Sequence, residues 1–351
     1  MAKAWVLHDI GKISLEDVDI PVPKENEVRI RVMAAGICGS DIPRIYETGA
    51  HNMPLIPGHE FSGVVDEVGP GVDMGPVGKR VAVFPKIACG KCDMCLSGTP
   101  LQCRNYDYIG SRRDGAFAEY VTAPAGNLLE IPENVSFEEA AMLEPFAVAA
   151  NAVRTGTKDI NTDNPVAICG LGTIGLMVTM LMKNAGFSNI YMIGNKNGQK
   201  TRALELGIPE DCYCDSSNNN PLKWLSDKTS GVCLYFECVG KNETISLGIE
   251  ALNPGGRLIL VGNPYSDMAF PRDIWWKILR NQITLSGIWN SSFSQNAPQN
   301  DWNYALERIS ADDIHPSGLI SHKLNLEALE TGLLVMRDKK EDYCKIIIKN
   351  F

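Results

Sequence analysis

The sequence lacks clusters of positive charge and long apolar runs. Its 351 residues include 33 lysines and arginines against 42 aspartates and glutamates, which gives a formal net charge of −9. A surface of this sign repels nucleic acids and acidic membranes, and no basic run offers a local exception. The amino terminus has no basic segment before an apolar core, and no later run is long enough to span a membrane without charges. We therefore expect a cytoplasmic protein with no nucleic-acid or membrane partner.

Four of the 11 cysteines lie close together. Cys89, Cys92, Cys95 and Cys103 follow the spacing C-x2-C-x2-C-x7-C, and the residues between them are mostly polar or turn-forming. Two residues between thiolates let one tight turn direct both sulfurs at a single ion, and four sulfurs complete a tetrahedral zinc shell. Such a closed site is structural, so the reacting residues must lie elsewhere. Free thiols and a thiolate site both suit a reducing compartment such as the cytosol.

The chain is longer than one hydrophobic core usually fills, so we expect two domains. Residues 1 to about 145 contain short alternating segments, such as residues 27–33 (EVRIRVM), separated by glycine and proline. Short alternating segments separated by turn residues indicate a β-rich domain. An apolar strand at residues 166–169 then leads into a glycine-rich turn, a long apolar helix and a second strand at residues 189–193. This order predicts a βαβ unit of an α/β, doubly wound parallel-sheet (Rossmann) domain.

The glycine-rich turn has the form G-x-G-x-x-G. It consists of Gly170, Gly172 and Gly175, with Thr173 and Ile174 before the last glycine. The first glycine makes the tight turn, the second lets the backbone approach a pyrophosphate, and the third lets helix and strand pack closely. Because the motif follows a strand and opens a helix, it predicts a dinucleotide site.

No carboxylate stands at the end of the second strand, where an acidic residue would bond the adenosine ribose and repel a 2′-phosphate. The chain has Gly194, Asn195 and Lys196 there. The glycine leaves room and the lysine supplies positive charge, which favours NADP(H) over NAD(H). The alternative is that Asn195 bonds the ribose hydroxyls and that Lys196 is solvated.

A third group of residues has the chemistry of a catalytic zinc site. Cys38, His59 and the carboxylates Glu60 and Glu144 are residue types that ligate a zinc ion which keeps one position for water or substrate. Taken alone, an isolated cysteine or histidine is more often a core residue. The residue types by themselves therefore do not decide whether a catalytic zinc binds here.

The order of these motifs resembles the zinc-dependent medium-chain dehydrogenases of the alcohol and polyol type. The resemblance extends from about residue 5 to residue 348 and includes GHE at residues 58–60, GAFAEY at residues 115–120 and GLGTIG at residues 170–175. Residues 38–44 (CGSDIPR), 48–51 (TGAH) and 109–115 (IGSRRDG) are typical of its galactitol-phosphate and sorbitol (iditol) branch.

The resemblance implies an enzyme that transfers a hydride between a secondary alcohol and NAD(P). Cys38, His59 and either Glu60 or Glu144 would hold the catalytic zinc. A polarised substrate hydroxyl would then lose its proton as the carbinol hydride leaves for the nicotinamide.

The family pattern also gives roles to two neighbours of the cysteine. Ser40 would contact the substrate oxygen and begin the proton relay, and Asp41 would orient His59. Many relatives have a histidine five positions after the zinc cysteine, but this chain has Pro43 there. A relay ending in that imidazole is therefore absent, and the proton must leave through ribose hydroxyls or water.

The substrate implied by the resemblance is a sugar alcohol or its phosphate. Arg112 and Arg113 could pair with a phosphate, although a solvated charged loop is the alternative. His51 is a further candidate for contact with substrate. A bulkier apolar alcohol such as a hydroxysteroid, or a cofactor-binding protein that has lost catalysis, are the competing functions.

The resemblance finally implies a domain arrangement. Residues 1–147 would form a GroES-like, β-rich catalytic domain with a structural zinc lobe at residues 86–104. Residues 148–287 would form the Rossmann domain, and residues 288–351 would return to the catalytic domain. Two zinc ions per chain and a homodimer or homotetramer are expected.

Overall fold

The computed structural model describes residues 1–297 and 299–349. Contacts divide the chain into two units, which we call unit 1 (Met1–Ala147 with Ser291–Phe351) and unit 2 (Val148–Asn290). Each unit has its own hydrophobic core. Among the described residues, no helix has the length and apolar character needed to cross a membrane.

The described residues form the strands and α-helices whose bounds follow. In chain order the strands are β1 (Ala2–Asp9), β2 (Lys12–Val18), β3 (Glu27–Ile37), β4 (Glu60–Val68), β5 (Arg80–Val83), β6 (Lys86–Ile87), β7 (Asp107–Tyr108), β8 (Tyr120–Pro124), β9 (Leu128–Glu130), β10 (Val166–Cys169), β11 (Ile190–Gly194), β12 (Tyr213–Asp215), β13 (Val232–Glu237), β14 (Leu252–Leu260), β15 (Thr284–Gly287), β16 (Ile320–Leu324) and β17 (Lys345–Lys349). The α-helices are α1 (Asp41–Tyr46), α2 (Asp93–Leu96), α3 (Phe137–Ala141), α4 (Leu143–Gly156), α5 (Thr173–Asn184), α6 (Asn197–Glu205), α7 (Pro221–Lys228), α8 (Asn242–Ala251), α9 (Arg272–Arg280), α10 (Asp301–Ser310) and α11 (Leu329–Asp338).

Unit 1 is built on a seven-stranded sheet in the order β16-β17-β3-β4-β5-β9, with β8 also paired to β3. Its central strand β3 alternates as predicted at its start, where Val28, Ile30 and Val32 are fully buried. Towards its end, Gly36 lies opposite Glu60 of β4 on one side and opposite a residue of β17 on the other. The register therefore brings together the residues just after β3, just before β4 and at the start of β17.

Unit 2 is a parallel sheet in the order β12-β11-β10-β13-β14-β15. The two strands, the glycine turn and the helix predicted from the sequence appear as β10, α5 and β11, and β13, β14 and β15 complete the sheet on the other side of β10. The fold class is confirmed. The strand β12 was not predicted, because three residues are too few for a periodic pattern even though Tyr213 and Cys214 are buried.

Candidate active site, zinc lobe and nucleotide turn

The loop that carries His59 packs backbone against backbone on residues 110–115. Gly58 has a φ of 100°, a conformation that glycine adopts without strain. A Cβ atom on Gly110 or Gly115 would lie only 2.3 or 2.2 Å from the Gly58 carbonyl oxygen. These glycines therefore permit the close contact that fixes where His59 enters the site.

Cys38 follows β3, and its neighbours bond to it directly. The Ser40 hydroxyl donates to Cys38 Sγ at 3.3 Å and does not cap α1. Asp41 Oδ2 accepts the Cys38 N–H at 3.0 Å, while Oδ1 accepts from Arg44 at 2.5 Å. His59 Nδ1 lies 3.4 Å from Asp41 Oδ1, a distance typical of an ion pair. The structure thus gathers the predicted Cys38, Ser40, Asp41 and His59 at one place.

The ligand atoms of Cys38, His59 and Glu60 lie within 4.8 Å of one another. His59 and Glu60 are only 4% and 1% exposed. Burial alone would lower the pKa of His59, but the charges of Asp41 and Cys38 outweigh it and raise that pKa well above its usual value. The same negative potential would stabilise a metal cation. Thiolate, imidazole and carboxylate are together a donor set that fits zinc.

Sequence reasoning missed Lys345, which lies at this cluster. Its ammonium group donates to the Glu60 carboxylate and, at 3.1 Å, to the Ile37 carbonyl. Burial would lower the pKa of Lys345, but the charges of Glu60, Cys38 and Glu144 raise it above its usual value. The two partners are 285 positions apart, so no local motif could have revealed the pair.

Glu144, the alternative zinc ligand, lies on the first turn of α4 beside the same cluster. Tyr108 was also not predicted from the sequence. Its hydroxyl donates to Glu144 Oε1 at 3.2 Å, and its ring packs edge-on against the His59 ring with the ring centroids 5.9 Å apart. Burial raises the pKa of Glu144 to about 7, the charge of Glu60 adds to the rise, and His59 and Lys345 oppose it. A carboxyl group of this pKa can hold or release a proton near neutral pH. Among the described residues, the close ligand group contains Glu60 and not Glu144.

The four cysteines of the lobe turn their sulfurs towards one point. The sulfur separations are 3.5 Å for Cys92 and Cys95, 3.8 Å for Cys92 and Cys103, and 4.0 Å for Cys89 and Cys95. Zinc–sulfur bonds of about 2.3 Å in a tetrahedron place the sulfurs about 3.8 Å apart. The four-cysteine group therefore fits a zinc ion.

Local structure explains how the lobe forms. Gly90 has a φ of 70° and turns the chain between the first two cysteines. Arg104 closes the lobe by donating to both Asp93 oxygens at 2.9 and 3.0 Å. Backbone N–H groups of Arg104 and Cys95 lower the pKa of Cys92 to about 6. These donors stabilise the thiolate of Cys92, which is the form of cysteine that binds metal.

The predicted dinucleotide turn has the geometry that its glycines suggest. Gly170 has a φ of 91°, and a Cβ atom on Gly175 would lie 2.0 Å from the Gly170 carbonyl oxygen. A Cβ atom on Gly172 would meet no atom within 4 Å, so this glycine leaves open space for a ligand. Thr173 and Ile174, both partly buried, begin α5. The helix N-terminus and the open Gly172 together suit a pyrophosphate.

The end of β11 carries no acidic side chain. Gly194 is buried, and a Cβ atom there would lie 2.8 Å from the Tyr213 hydroxyl and 2.9 Å from Gln199 Oε1. Asn195 and Lys196 are exposed, and the Asn195 N–H donates to Gln199 at 3.0 Å. A 2′-phosphate would meet no fixed negative charge from these residues.

The predicted substrate residues lie in different surroundings. Arg113 donates to Glu27 at 2.7 Å, so its charge is already paired. Arg112 stacks its guanidinium 4.2 Å from the Tyr106 ring, and its Nε is buried without a hydrogen-bond partner among the described residues. His51 is exposed. Of these three residues, Arg112 is the one whose unsatisfied Nε–H group could donate a hydrogen bond to an anionic ligand.

Comparison with known proteins assigns the family. Residues 24–133 match the family described as alcohol dehydrogenase GroES-like domain, and residues 173–311 match the family described as zinc-binding dehydrogenase. Galactitol 1-phosphate 5-dehydrogenase of Escherichia coli K12 is 32% identical over 319 residues, which cover 91% of this chain and 91% of that protein. L-idonate 5-dehydrogenase of Vitis vinifera is 30% identical over 345 residues, which cover 94% of this chain and 90% of that protein.

Solved structures give the same result. Galactitol-1-phosphate dehydrogenase of Escherichia coli matches with a TM-score of 0.90 and 30% identity, covering 99% of this chain and 100% of that chain. An alcohol dehydrogenase of Escherichia coli CFT073 in complex with NADH matches at 0.89 and 27% identity, covering 99% of each chain. A protein of Sinorhizobium meliloti 1021, described as a zinc-binding dehydrogenase and bound to NADP, matches at 0.90 and 27% identity, covering 100% of this chain and 99% of that chain. The predicted family and enzyme class are confirmed: this chain is an NAD(P)-dependent oxidoreductase of secondary alcohols and belongs to the zinc-dependent medium-chain alcohol and polyol dehydrogenases.

Proposed function

We propose that this chain interconverts a sugar alcohol, or a sugar-alcohol phosphate, and the corresponding ketone, using zinc held by Cys38, His59 and a glutamate. The grouping of three ligand atoms within 4.8 Å carries the proposal. When bound, zinc would supply a Lewis acid that lowers the pKa of the substrate hydroxyl. Glu60 is favoured as the carboxylate ligand because it belongs to that group, and Glu144 is the alternative.

The residues around the cluster have distinct roles in this proposal. Ser40, whose hydroxyl lies 3.3 Å from Cys38 Sγ, takes the substrate proton. Asp41 holds the orientation of His59. Because Pro43 cannot carry a proton, the proton then leaves through ribose hydroxyls or water. A nucleotide held at the glycine turn would supply the hydride acceptor.

A second zinc ion belongs to the four-cysteine lobe. The sulfur separations of 3.5 to 4.0 Å support it, and all four positions of such a shell are filled by protein. We therefore propose two zinc ions per chain, one structural and one catalytic.

NADP(H) is the favoured nucleotide, because no carboxylate stands at Gly194, Asn195 or Lys196. Replacing Gly194 with aspartate is expected to move the preference towards NAD(H) by tenfold or more, about 1.4 kcal/mol. The new carboxylate would bond ribose hydroxyls and repel a 2′-phosphate. The measurement is kcat/KM for each nucleotide.

Gly194→Ala is the matched control, since it adds the Cβ atom near Tyr213 and Gln199 without the charge. It should lower both kcat/KM values to a similar degree. A wild-type enzyme that prefers NAD(H) by tenfold would contradict a 2′-phosphate site at this strand end.

The substrate class is tested by a spectrophotometric screen of polyols, polyol phosphates and apolar secondary alcohols with NAD+ and NADP+. We expect turnover with a polyol or a polyol phosphate. Turnover only with a hydroxysteroid would favour the bulkier apolar substrate. No turnover with any class in zinc-loaded protein would favour a cofactor-binding protein without catalysis.

Arg112 is the proposed contact for a phosphate, because its buried Nε lacks a partner while Arg113 is paired with Glu27. Arg112→Ala should raise KM for a phosphorylated polyol relative to its unphosphorylated analogue. A charge-assisted hydrogen bond of about 1.5 to 3 kcal/mol corresponds to roughly 10- to 150-fold. Arg113→Ala is the matched control and should change both KM values equally. Equal losses on both substrates in Arg112→Ala would favour a free polyol.

We also propose that unit 1 is the catalytic domain and that unit 2 binds the nucleotide. We further propose that the protein forms a homodimer or a homotetramer. In unit 2, β15 lies at one edge of the sheet and its Leu285 is 37% exposed, while α9, which precedes it in the chain, exposes Trp275 (55%) and Leu279 (53%), and Trp289, which follows it, is 59% exposed. An edge strand and exposed apolar residues near it in the chain support a contact between copies. The thiolate lobe also suits a reducing compartment such as the cytosol.

A further inference from the structure

Lys345 and Glu60 form a buried ion pair at the candidate active site. The side chains are 3% and 1% exposed. The ammonium group also donates to the Ile37 carbonyl at 3.1 Å. Two of its three hydrogens therefore have fixed acceptors, and its position is defined by both.

The sheet is built to hold this pair. Lys345 begins β17, Glu60 begins β4, and β3 lies between those two strands. On β3, a Cβ atom at Gly36 would lie 2.2 Å from Glu60 Oε2 and 2.8 Å from Lys345 Cε. Only glycine at this position leaves room for the two side chains to meet across the middle strand.

Stability alone does not explain a buried ion pair at this position. Removing two charges from water costs more than a buried pair usually returns, and apolar replacements of similar volume are often as stable. Here one member of the pair, Glu60, belongs to the ligand group of Cys38, His59 and Glu60. The charges of Cys38 and Glu144 also act on Lys345. The location points to a role in the site.

We propose that Lys345 is a positioning residue that holds one carboxylate oxygen of Glu60 and leaves only the other for the metal. This inference rests on the proposed catalytic zinc site. A glutamate held in this way occupies a single coordination position, so the remaining position stays available to the alcohol. Without Lys345, both oxygens of Glu60 are free to bind the metal and fill that position.

The test compares wild type, Lys345→Met and Lys345→Arg after zinc is replaced by cobalt(II). The spectrum of cobalt-loaded Cys38→Ser, which keeps the four-cysteine site, is subtracted to isolate the catalytic site. Four-coordinate cobalt absorbs more strongly in the visible range than five-coordinate cobalt. We expect the difference bands of Lys345→Met to weaken and its kcat with zinc to fall at least tenfold, with the KM for nucleotide unchanged. Lys345→Arg should restore most of both.

Lys349→Met is the matched control, because it removes the same charge from the same strand, where Lys349 contacts Glu138 at 3.5 Å. It should leave the spectrum and kcat unchanged. If Lys345→Met fails to fold, Glu60→Gln with Lys345→Met removes both charges together. Because Lys345 acts through Glu60, this double variant should match Glu60→Gln alone in spectrum and kcat.

Two results would overturn the inference. One is a Lys345→Met enzyme with wild-type bands and a kcat within twofold of wild type. The other is a double variant that differs clearly from Glu60→Gln alone. Failure of the catalytic zinc site itself is distinguishable, since cobalt-loaded wild type would then show no bands beyond those of Cys38→Ser.

Discussion

Replacing Cys38 with serine is expected to abolish turnover while the fold and the four-cysteine zinc remain. Only the open site loses a ligand in this variant, so the zinc content should fall from two ions per chain to one. Lewis-acid stabilisation of several kcal/mol is lost, and about 4 kcal/mol corresponds to roughly a thousandfold in rate. Zinc per chain and kcat/KM are measured on the same sample.

Cys212→Ser is the matched control, since Cys212 belongs to neither metal-ligand group among the described residues. It should keep both zinc ions and full activity. Wild-type activity in Cys38→Ser would remove the assignment of the catalytic site.

Replacing Cys95 with serine is expected to have its main effect on stability. Structural zinc contributes folding free energy directly, about 10 to 16 kcal/mol in isolated zinc-finger peptides. In a unit with its own core we expect a loss of at least about 3 kcal/mol, which corresponds to a fall of roughly 6 to 12 °C in the melting temperature. Thermal unfolding followed by circular dichroism measures this change.

The two cysteine variants should therefore separate the two sites. Each is expected to retain one zinc ion, but Cys38→Ser should be stable and inactive, whereas Cys95→Ser should be unstable and retain activity at low temperature. An unchanged melting temperature in Cys95→Ser would contradict a structural role for the lobe.

Local spacing in the sequence predicted which of these residues the structure brings together. The four cysteines of the lobe and the glycines of the nucleotide turn each lie in one short segment, so a single turn brings the working atoms together. The β-rich and Rossmann halves were also predictable, because alternation and the strand-turn-helix order are local signals.

Contacts that depend on strand register could not be predicted in this way. Lys345 reaches Glu60 only because β17, β3 and β4 are neighbours and because Gly36 adds no side chain between them. Tyr108 reaches Glu144 across 36 positions. Neither contact has a sequence pattern, since each is set by pairing of distant strands and by packing.

The arginine pair shows a third kind of limit. From the sequence, Arg112 and Arg113 are equivalent candidates for a phosphate contact. In the structure, Arg113 pairs with Glu27 and Arg112 stacks on Tyr106. Adjacent residues in a turn point in different directions, so the partner of each was decided by the tertiary structure.

Anomalous diffraction at the zinc absorption edge from crystals of the zinc-loaded protein tests the central claim most directly. Two zinc peaks per chain are expected. One should lie among the sulfurs of Cys89, Cys92, Cys95 and Cys103, and the other within about 2.3 Å of Cys38 Sγ and close to a ring nitrogen of His59. A single peak in the four-cysteine lobe, in crystals of protein that remains active, would contradict the account.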